Sequence, residues 1–238
     1  MNDFYIVGAG CGDPGLITVK GMDLLKRADI LIYAGSLVNP ELVAASGAAT
    51  KLDSSKMNLD EICGAIREGV QEKKRVVRLH SGDPALYGAI IEQMAVLEKD
   101  GIRPEIVPGV SSLFGAAAAL NTQLTLRGVS ESVIITRPAG ATLEEDRIAE
   151  FSRIGETLVI FLGTEKLRDI MARVECPQDT PVAVVYHATW DDQKIIKGTV
   201  ADIADAAEAA GITKTALIII GRAVLGIDSG FIHSHLYS

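Results

Sequence analysis

The residues of this chain that could do chemistry sit in four short turns. The first is Gly8-Ala9-Gly10-Cys11-Gly12-Asp13-Pro14-Gly15, and the second is His80-Ser81-Gly82-Asp83-Pro84. The third is Pro108-Gly109-Val110-Ser111-Ser112, and the fourth is Gly221-Arg222. All four are rich in small residues, which let a ligand approach the main chain closely. Asp83 can accept hydrogen bonds from such a ligand, and Pro84 stiffens the turn. Asp-Pro is also a common helix start, with Asp as N-cap and Pro in the first turn, so Asp83 carries a capping reading beside the ligand reading. No nucleophile elbow, Walker loop or HExxH motif is present. His80 and His187 stand at strand ends, whereas His233 and His235 fall in a terminal segment that reads as a solvated tail. The chemistry on offer is binding and orientation by backbone groups, not attack by an activated side chain.

The elements around these turns alternate. Phe4–Val7 is a short apolar run without alternation, as in a central parallel strand. A helix follows over Thr18–Ala28 with Val19, Met22, Leu25 and Ala28 on one face. Ile30–Tyr33 is the second strand. Asn39 caps a short helix over Glu41–Ala45, with Pro40 in its first position. Asn58–Glu72 is an amphipathic helix with Leu59, Ile62, Ile66 and Val70 inward. The strand Arg75–Leu79 runs into Ser81-Gly82-Asp83, and Leu86, Ile90, Met94 and Leu97 mark the helix after it. Glu105–Val107 is a strand and Leu113–Leu120 a small-residue helix. This β-α alternation predicts a parallel sheet, and polar turns at strand ends are where such sheets bind ligands.

A second α/β set begins at Ser132–Thr136. It continues through a helix at Glu144–Ser152, a strand at Thr157–Phe161 and a helix at Glu165–Val174. Pro181–Tyr186 and Lys194–Gly198 flank His187–Asp192 as a hairpin. A helix at Val200–Ala210 and a buried strand at Ala216–Gly221 complete the set. The expected division is an N-terminal α/β domain over residues 1–121 and a C-terminal α/β domain over 131–238, with 122–130 as linker.

Composition limits the function further. The chain has 238 residues, 48% of them hydrophobic, enough for a substantial core. Its 23 basic and 31 acidic residues leave a net charge of -8, so no basic field for nucleic acid is present. Cys11, Cys63 and Cys176 are far apart and form no CxxC, which suggests neither zinc nor a disulfide framework. Free thiols fit the cytoplasm. No run has the pattern of a signal peptide or the length of a membrane span. The glycine loop invites a dinucleotide reading, but Asp13 stands where the sixth-position Gly belongs, and Tyr33-Ala34-Gly35 offers no acid for a ribose. A Gly-x-Gly-x-Gly methyltransferase loop matches Gly8, Gly10 and Gly12 but also wants that acid. A plain strand-to-helix turn stands beside both readings.

Taken in order, the four turns resemble those of the tetrapyrrole methylase family, S-adenosylmethionine-dependent enzymes of cobalamin and sirohaem synthesis. The resemblance covers nearly the whole chain. Tyr33-Ala-Gly-Ser-Leu-Val-Asn-Pro-Glu41, His80-Ser-Gly-Asp-Pro-Ala-Leu-Tyr-Gly88 and Thr136-Arg-Pro-Ala-Gly140 are most similar to the branch that methylates precorrin-4, with or without cobalt, at carbon 11. The resemblance implies two α/β domains with the cofactor S-adenosyl-L-methionine in the cleft between them and S-adenosyl-L-homocysteine as product. It implies cofactor contacts at Ser81, Gly82, Asp83, Leu86, Ser111, Ser112, Leu162 and Ala188, and a cytoplasmic homodimer. The substrate it implies is a polycarboxylate tetrapyrrole; any cobalt belongs to that substrate, and no protein metal site is expected. Residues suited to line the trough are Tyr33, Asn39, His80 and Tyr87. Lys51, Arg127 and Arg137 are suited to its carboxylates, with Arg222 behind them. Cys11, where the family usually has Pro, and Ala141, where relatives tend to have Arg, depart from the pattern. No catalytic base carries over. Other readings are a different precorrin position, a diphthine synthase-like enzyme, a ribosomal RNA methylase, a nicotinamide-dependent oxidoreductase and a non-catalytic tetrapyrrole carrier.

Overall fold

A computed structural model describes residues 3–233, so His235 lies outside the described residues. The chain divides into two compact units, residues 1–112 and 113–238.

The first unit is built on a five-stranded, wholly parallel sheet. Its strands are β1 (Phe4–Gly8), β2 (Ile30–Tyr33), β3 (Thr50–Asp53), β4 (Val76–His80) and β5 (Glu105–Val107), in the order β3-β2-β4-β1-β5. The connecting helices are α1 (Val19–Lys26), α2 (Pro40–Ala45), α3 (Leu59–Gln71) and α4 (Ile90–Glu98). The central strands β1 and β4 are buried throughout, which accounts for the absence of polar alternation in β1 and, apart from Arg78 and His80, in β4. Their two faces fill separate cores. Val77 and Leu79 pack with α1 and α2, and Val76 packs with α3 and α4. Asn58 closes a reciprocal capping box with Glu61 at the start of α3, a contact of about 1 kcal/mol.

Three sequence expectations change here. Val19 is exposed rather than inward, because Gly21 and Leu25 take the buried face of α1. The edge strand β3 was not legible: Thr50-Lys51-Leu52-Asp53 is half-exposed, with no apolar pattern to mark it. The helix after Asp83-Pro84 begins only at Ile90. Residues 84–87 form a separate turn, and Tyr87 and Ala89 hold left-handed backbone conformations that interrupt any helix there.

The second unit opens within α5 (Ser112–Ala119), after its first residue. Its strands are β6 (Val133–Thr136), β7 (Thr157–Ile160), β8 (Pro181–Tyr186), β9 (Lys194–Thr199) and β10 (Ala216–Ile220), in the order β6-β7-β10-β8-β9. The helices are α6 (Ile148–Ser152), α7 (Leu167–Arg173) and α8 (Ile203–Ala209). Only β6 and β7 pair in parallel; β10 runs antiparallel to β7 and β8, and β8–β9 is the expected hairpin. The helix expected over Glu144–Ser152 shrinks to α6, because Asp146 turns its carboxylate back on the chain and accepts from the amides of Ala139 and Ile148.

The segment 122–130 is packed rather than free. Leu124 is buried, Thr157 Oγ1 donates to its carbonyl at 2.8 Å, and the Thr157 amide donates to Ser130 Oγ at 2.8 Å. On the N-terminal side of that segment, Leu113, Ala116 and Ala117 of α5 join the core formed with Val159, Val185 and Ile219.

Candidate active site

In the first unit the candidate site forms where β4, β1 and β5, neighbours in the sheet, all end. Three backbones cross there with almost no space. A Cβ on Gly8 would lie 2.5 Å from Gly109 N and 2.7 Å from Gly82 O, so only glycine fits. The first and second turns are zipped together. Gly82 N donates to Gly10 O at 2.8 Å, Gly10 N returns a bond to Gly82 O at 3.3 Å, and Ala9 N donates to His80 O at 2.6 Å. Asp83 then ties in the third turn. Its Oδ1 accepts from Ala85 N at 2.8 Å, and its Oδ2 accepts from Gly109 N at 2.9 Å. Asp83 is therefore no helix cap. It is the bracket that holds Ser81-Gly82 beside Val110-Ser111-Ser112. Ser111 is buried, whereas Ser81 and Gly82 are half-exposed, and Gly82 adopts φ 60°. Leu86 lies in the following turn, its amide donating to Asp83 O at 3.2 Å.

Asn39 has a double role that its sequence position did not reveal. Its Oδ1 caps α2 through Glu41 N at 2.9 Å, while Nδ2 donates to Gly12 O at 3.0 Å and fastens the glycine loop. Tyr33 ends β2, one strand from β4, and is half-buried. Tyr87 is exposed and held at φ 56°.

The remaining first-unit candidates are placed otherwise. Lys51 lies on the edge strand β3, and its Nζ donates to Val43 O at 2.6 Å, away from the crossing turns. His80 does not line a surface. Its side chain is buried, and burial together with the Arg78 charge pulls its pKa down to about 4. Arg78 itself is buried in β4, and burial lowers its pKa to about 10. The signal for Arg78 was present as one cation inside the apolar run Val76–Leu79.

In the second unit β6, β7 and β8 all point the same way, because β6 is parallel to β7 and both β7 and β8 oppose β10. Their C-terminal ends bring Arg137, Leu162 and Ala188 to one edge of the sheet. Leu162 is 68% exposed and held at φ 55°. His187 and Thr189, on either side of the buried Ala188, are also left-handed, at φ 44° and 69°. Non-glycine residues at positive φ are uncommon, and they cluster where a structure is shaped for a ligand. The turn is braced by side chains: His187 stacks on Tyr186 at 3.8 Å between centroids and on Trp190 at 5.2 Å, and its Nδ1 lies 2.9 Å from Asp192 Oδ1.

Arg137 Nη1 donates to Thr142 Oγ1 at 2.7 Å. Arg127 is elsewhere. It belongs to the segment bound to the start of β7, and its Nη1 donates to His233 O at 2.7 Å. Arg222 follows the C-terminal end of β10 and so lies at the edge opposite Leu162. Among the described residues no group of three or more His, Cys, Asp or Glu side chains could hold a metal ion.

Residues 3–204 match the family pattern of Tetrapyrrole (Corrin/Porphyrin) Methylases. The chain belongs to this family. A similar relative is the cobalt-precorrin-4 C(11)-methyltransferase of Methanocaldococcus jannaschii, 49% identical over 223 residues, which are 91% of this chain and 86% of that protein. Among solved tetrapyrrole methylases, the X-ray structure of a cobalt precorrin-4 methyltransferase of cobalamin biosynthesis is similar at a TM-score of 0.89 and 44% identity. That match covers 93% of this chain and 95% of the other. The uroporphyrin-III C-methyl transferase of Thermus thermophilus, complexed with S-adenosyl homocysteine, is similar at a TM-score of 0.79 and 27% identity, covering 94% and 93%. The family thus accounts for the glycine loop that fits no dinucleotide rule. In this chain that loop is a backbone partner of the second turn, not a phosphate cradle.

Proposed function

We propose that this chain transfers a methyl group from S-adenosyl-L-methionine to carbon 11 of cobalt-precorrin-4, giving cobalt-precorrin-5 in cobalamin biosynthesis. The observation that carries this reading is the 49% identity, over nine-tenths of the chain, to a cobalt-precorrin-4 C(11)-methyltransferase. The glycine-only crossing of Gly8, Gly82 and Gly109 is the local feature that fits it. Three thin backbones meet at the ends of neighbouring parallel strands, where α/β sheets take their ligands.

When bound, S-adenosylmethionine supplies a methyl group on a positive sulfonium, ready for in-line displacement by the acceptor carbon. The protein's task is orientation and exclusion of water, which needs no triad and no resident metal. Ser81, Gly82, Ser111 and Ser112 offer small side chains and main-chain groups to the nucleoside. Asp83 keeps the two turns at a fixed spacing by holding Ala85 N and Gly109 N. Leu86, and Leu162 and Ala188 of the second unit, complete the proposed cofactor contacts. The strained backbone at Leu162 and on both sides of Ala188 supports that assignment. Tyr33 and Tyr87 line the tetrapyrrole side. Arg137, at the same sheet edge as Leu162, is the cation best placed for a substrate carboxylate. Asn39 acts on the substrate side only indirectly, through the glycine loop it fastens.

The finer assignments belong to the same proposal. The enzyme works in the cytoplasm as a homodimer, and the exposed apolar side chains Leu225, Ile227, Phe231 and Ile232 supply a surface that a second copy would cover.

The test is calorimetry with S-adenosylhomocysteine, followed by mass spectrometry of turnovers with precorrin-4 and with its cobalt form. Saturable binding and a single added methyl on the cobalt form are expected. Binding without methylation of either form would refute the substrate, and no binding at all would refute the cofactor.

A further inference from the structure

The α3/α4 face of β4 carries a feature that methyl transfer does not use. Arg78 and His80 follow Val76 on this face, and Arg78 lies opposite Ile6 and Ile32, all in an otherwise apolar core. Gln93 enters the same layer from α4, between Ile90 and Leu97. The three side chains are 5%, 8% and 5% exposed. Arg78 Nη1 reaches only two carbonyls, Leu79 O at 3.3 Å and Ile32 O at 3.4 Å. Arg78 Nε, His80 Nε2 and Gln93 Oε1 are sealed from solvent and have no hydrogen-bond partner among the described residues. No described acid forms an ion pair with Arg78.

Buried polar atoms are nearly always satisfied, and a buried charge is paired. Three orphans on one face, one of them on a guanidinium that stays charged at neutral pH, describe a binding site. A water molecule would meet the hydrogen bonds but not the charge. A carboxylate on a large molecule cannot reach atoms sealed beneath a turn. We propose that Arg78, His80 and Gln93 enclose a site for one small free anion of halide size, directly beneath Ser81-Gly82-Asp83. Arg78 Nε donates to the anion, and neutral His80 donates through Nε2 in the matching tautomer. A half-turn of the Gln93 amide presents its NH2 group in place of Oε1. The filled site braces the end of β4 from which the second turn springs.

The experiment compares melting in sodium chloride or bromide with sodium gluconate, whose anion is too large to enter, at equal ionic strength. The wild-type chain should melt roughly 3–6 °C higher in halide at about ten times the dissociation constant. Arg78→Met should lose that difference. Gln93→Glu supplies a carboxylate from the chain itself, so it should melt higher than wild type in gluconate and ignore halide. Crystals grown in bromide should show an anomalous peak within hydrogen-bond reach of Arg78 Nε. If wild type and Arg78→Met respond equally to halide, or Gln93→Glu lowers the melting point, or bromide crystals show no peak beside Arg78, the site does not exist. If Arg78→Met does not fold, Gln93→Glu and the bromide crystals decide. None of these readouts depends on methyl transfer.

Discussion

Replacing Asp83 separates the binding role of the second turn from its structural one. The carboxylate accepts two backbone hydrogen bonds, from Ala85 N at 2.8 Å and Gly109 N at 2.9 Å. Hydrogen bonds to a charged group contribute about 1.5–3 kcal/mol when buried. Asp83 is only half-buried, so about 1 kcal/mol each is the working figure, and Asp83→Ala should remove about 2 kcal/mol. The second bond joins two turns, so its loss frees Ser81-Gly82 to move against Ser111-Ser112. A ligand that needs both turns must then restore their spacing at its own expense. Affinity for S-adenosylhomocysteine should fall by up to roughly 30-fold, since about 1.4 kcal/mol is a factor of ten. Asp83→Asn keeps one acceptor oxygen and should lose roughly fivefold, about 1 kcal/mol. Urea unfolding reports the stability, and calorimetry with S-adenosylhomocysteine reports the affinity. If Asp83→Ala loses its 2 kcal/mol in urea while the dissociation constant stays within twofold, the turn is a structural tie and not the cofactor cradle.

Three further substitutions probe the same structure. Gly109→Ala would place a Cβ 2.8 Å from Gly8 Cα and closer still to Gly82 O, so it should destabilise by about 1–3 kcal/mol and abolish S-adenosylhomocysteine binding; an unchanged variant would mean the crossing is looser than described. His80 has a folded pKa of about 4 against an ordinary 6.5, so the unfolded chain takes up its proton first. Stability is unaffected by this group above pH 6.5 and is lost as pH falls from there toward 4, the loss reaching about 3 kcal/mol at the bottom of that window. His80→Gln should flatten the stability profile between those pH values, and a profile unchanged in shape would refute the buried neutral imidazole. Leu162→Gly relieves an exposed left-handed residue, so it should leave stability unchanged or raised by up to about 1 kcal/mol while methyl transfer slows; full activity would remove Leu162 from the site.

The sequence by itself determined every strand but the edge strand β3, and the turns and their order. β1 and β10 are unbroken apolar runs, and β4 is one broken only by Arg78 and His80, because both faces of those strands are covered, and the lack of alternation records that directly. The family, and with it the chemistry, was legible in the ordered glycine, serine and aspartate turns, because each follows a strand end and small residues there have few other uses. Tertiary structure alone decided what those residues touch. Asp83 looked like a cap because local sequence shows only the nearby Ala85 amide; the partner that matters, Gly109, is 26 residues away across two strands. Lys51, Arg127 and Arg137 were equivalent as charges in the chain, yet sheet order and strand direction bring only Arg137 to the edge with Leu162 and Ala188. His80 read as a ligand at a strand end and became a buried neutral group, because side-chain alternation along β4 turns it into the α3/α4 core beside Arg78. A residue's type and spacing state which chemistry it can perform. Which face of the sheet it occupies, and which distant backbone amide claims its lone pairs, is set only when the strands come together.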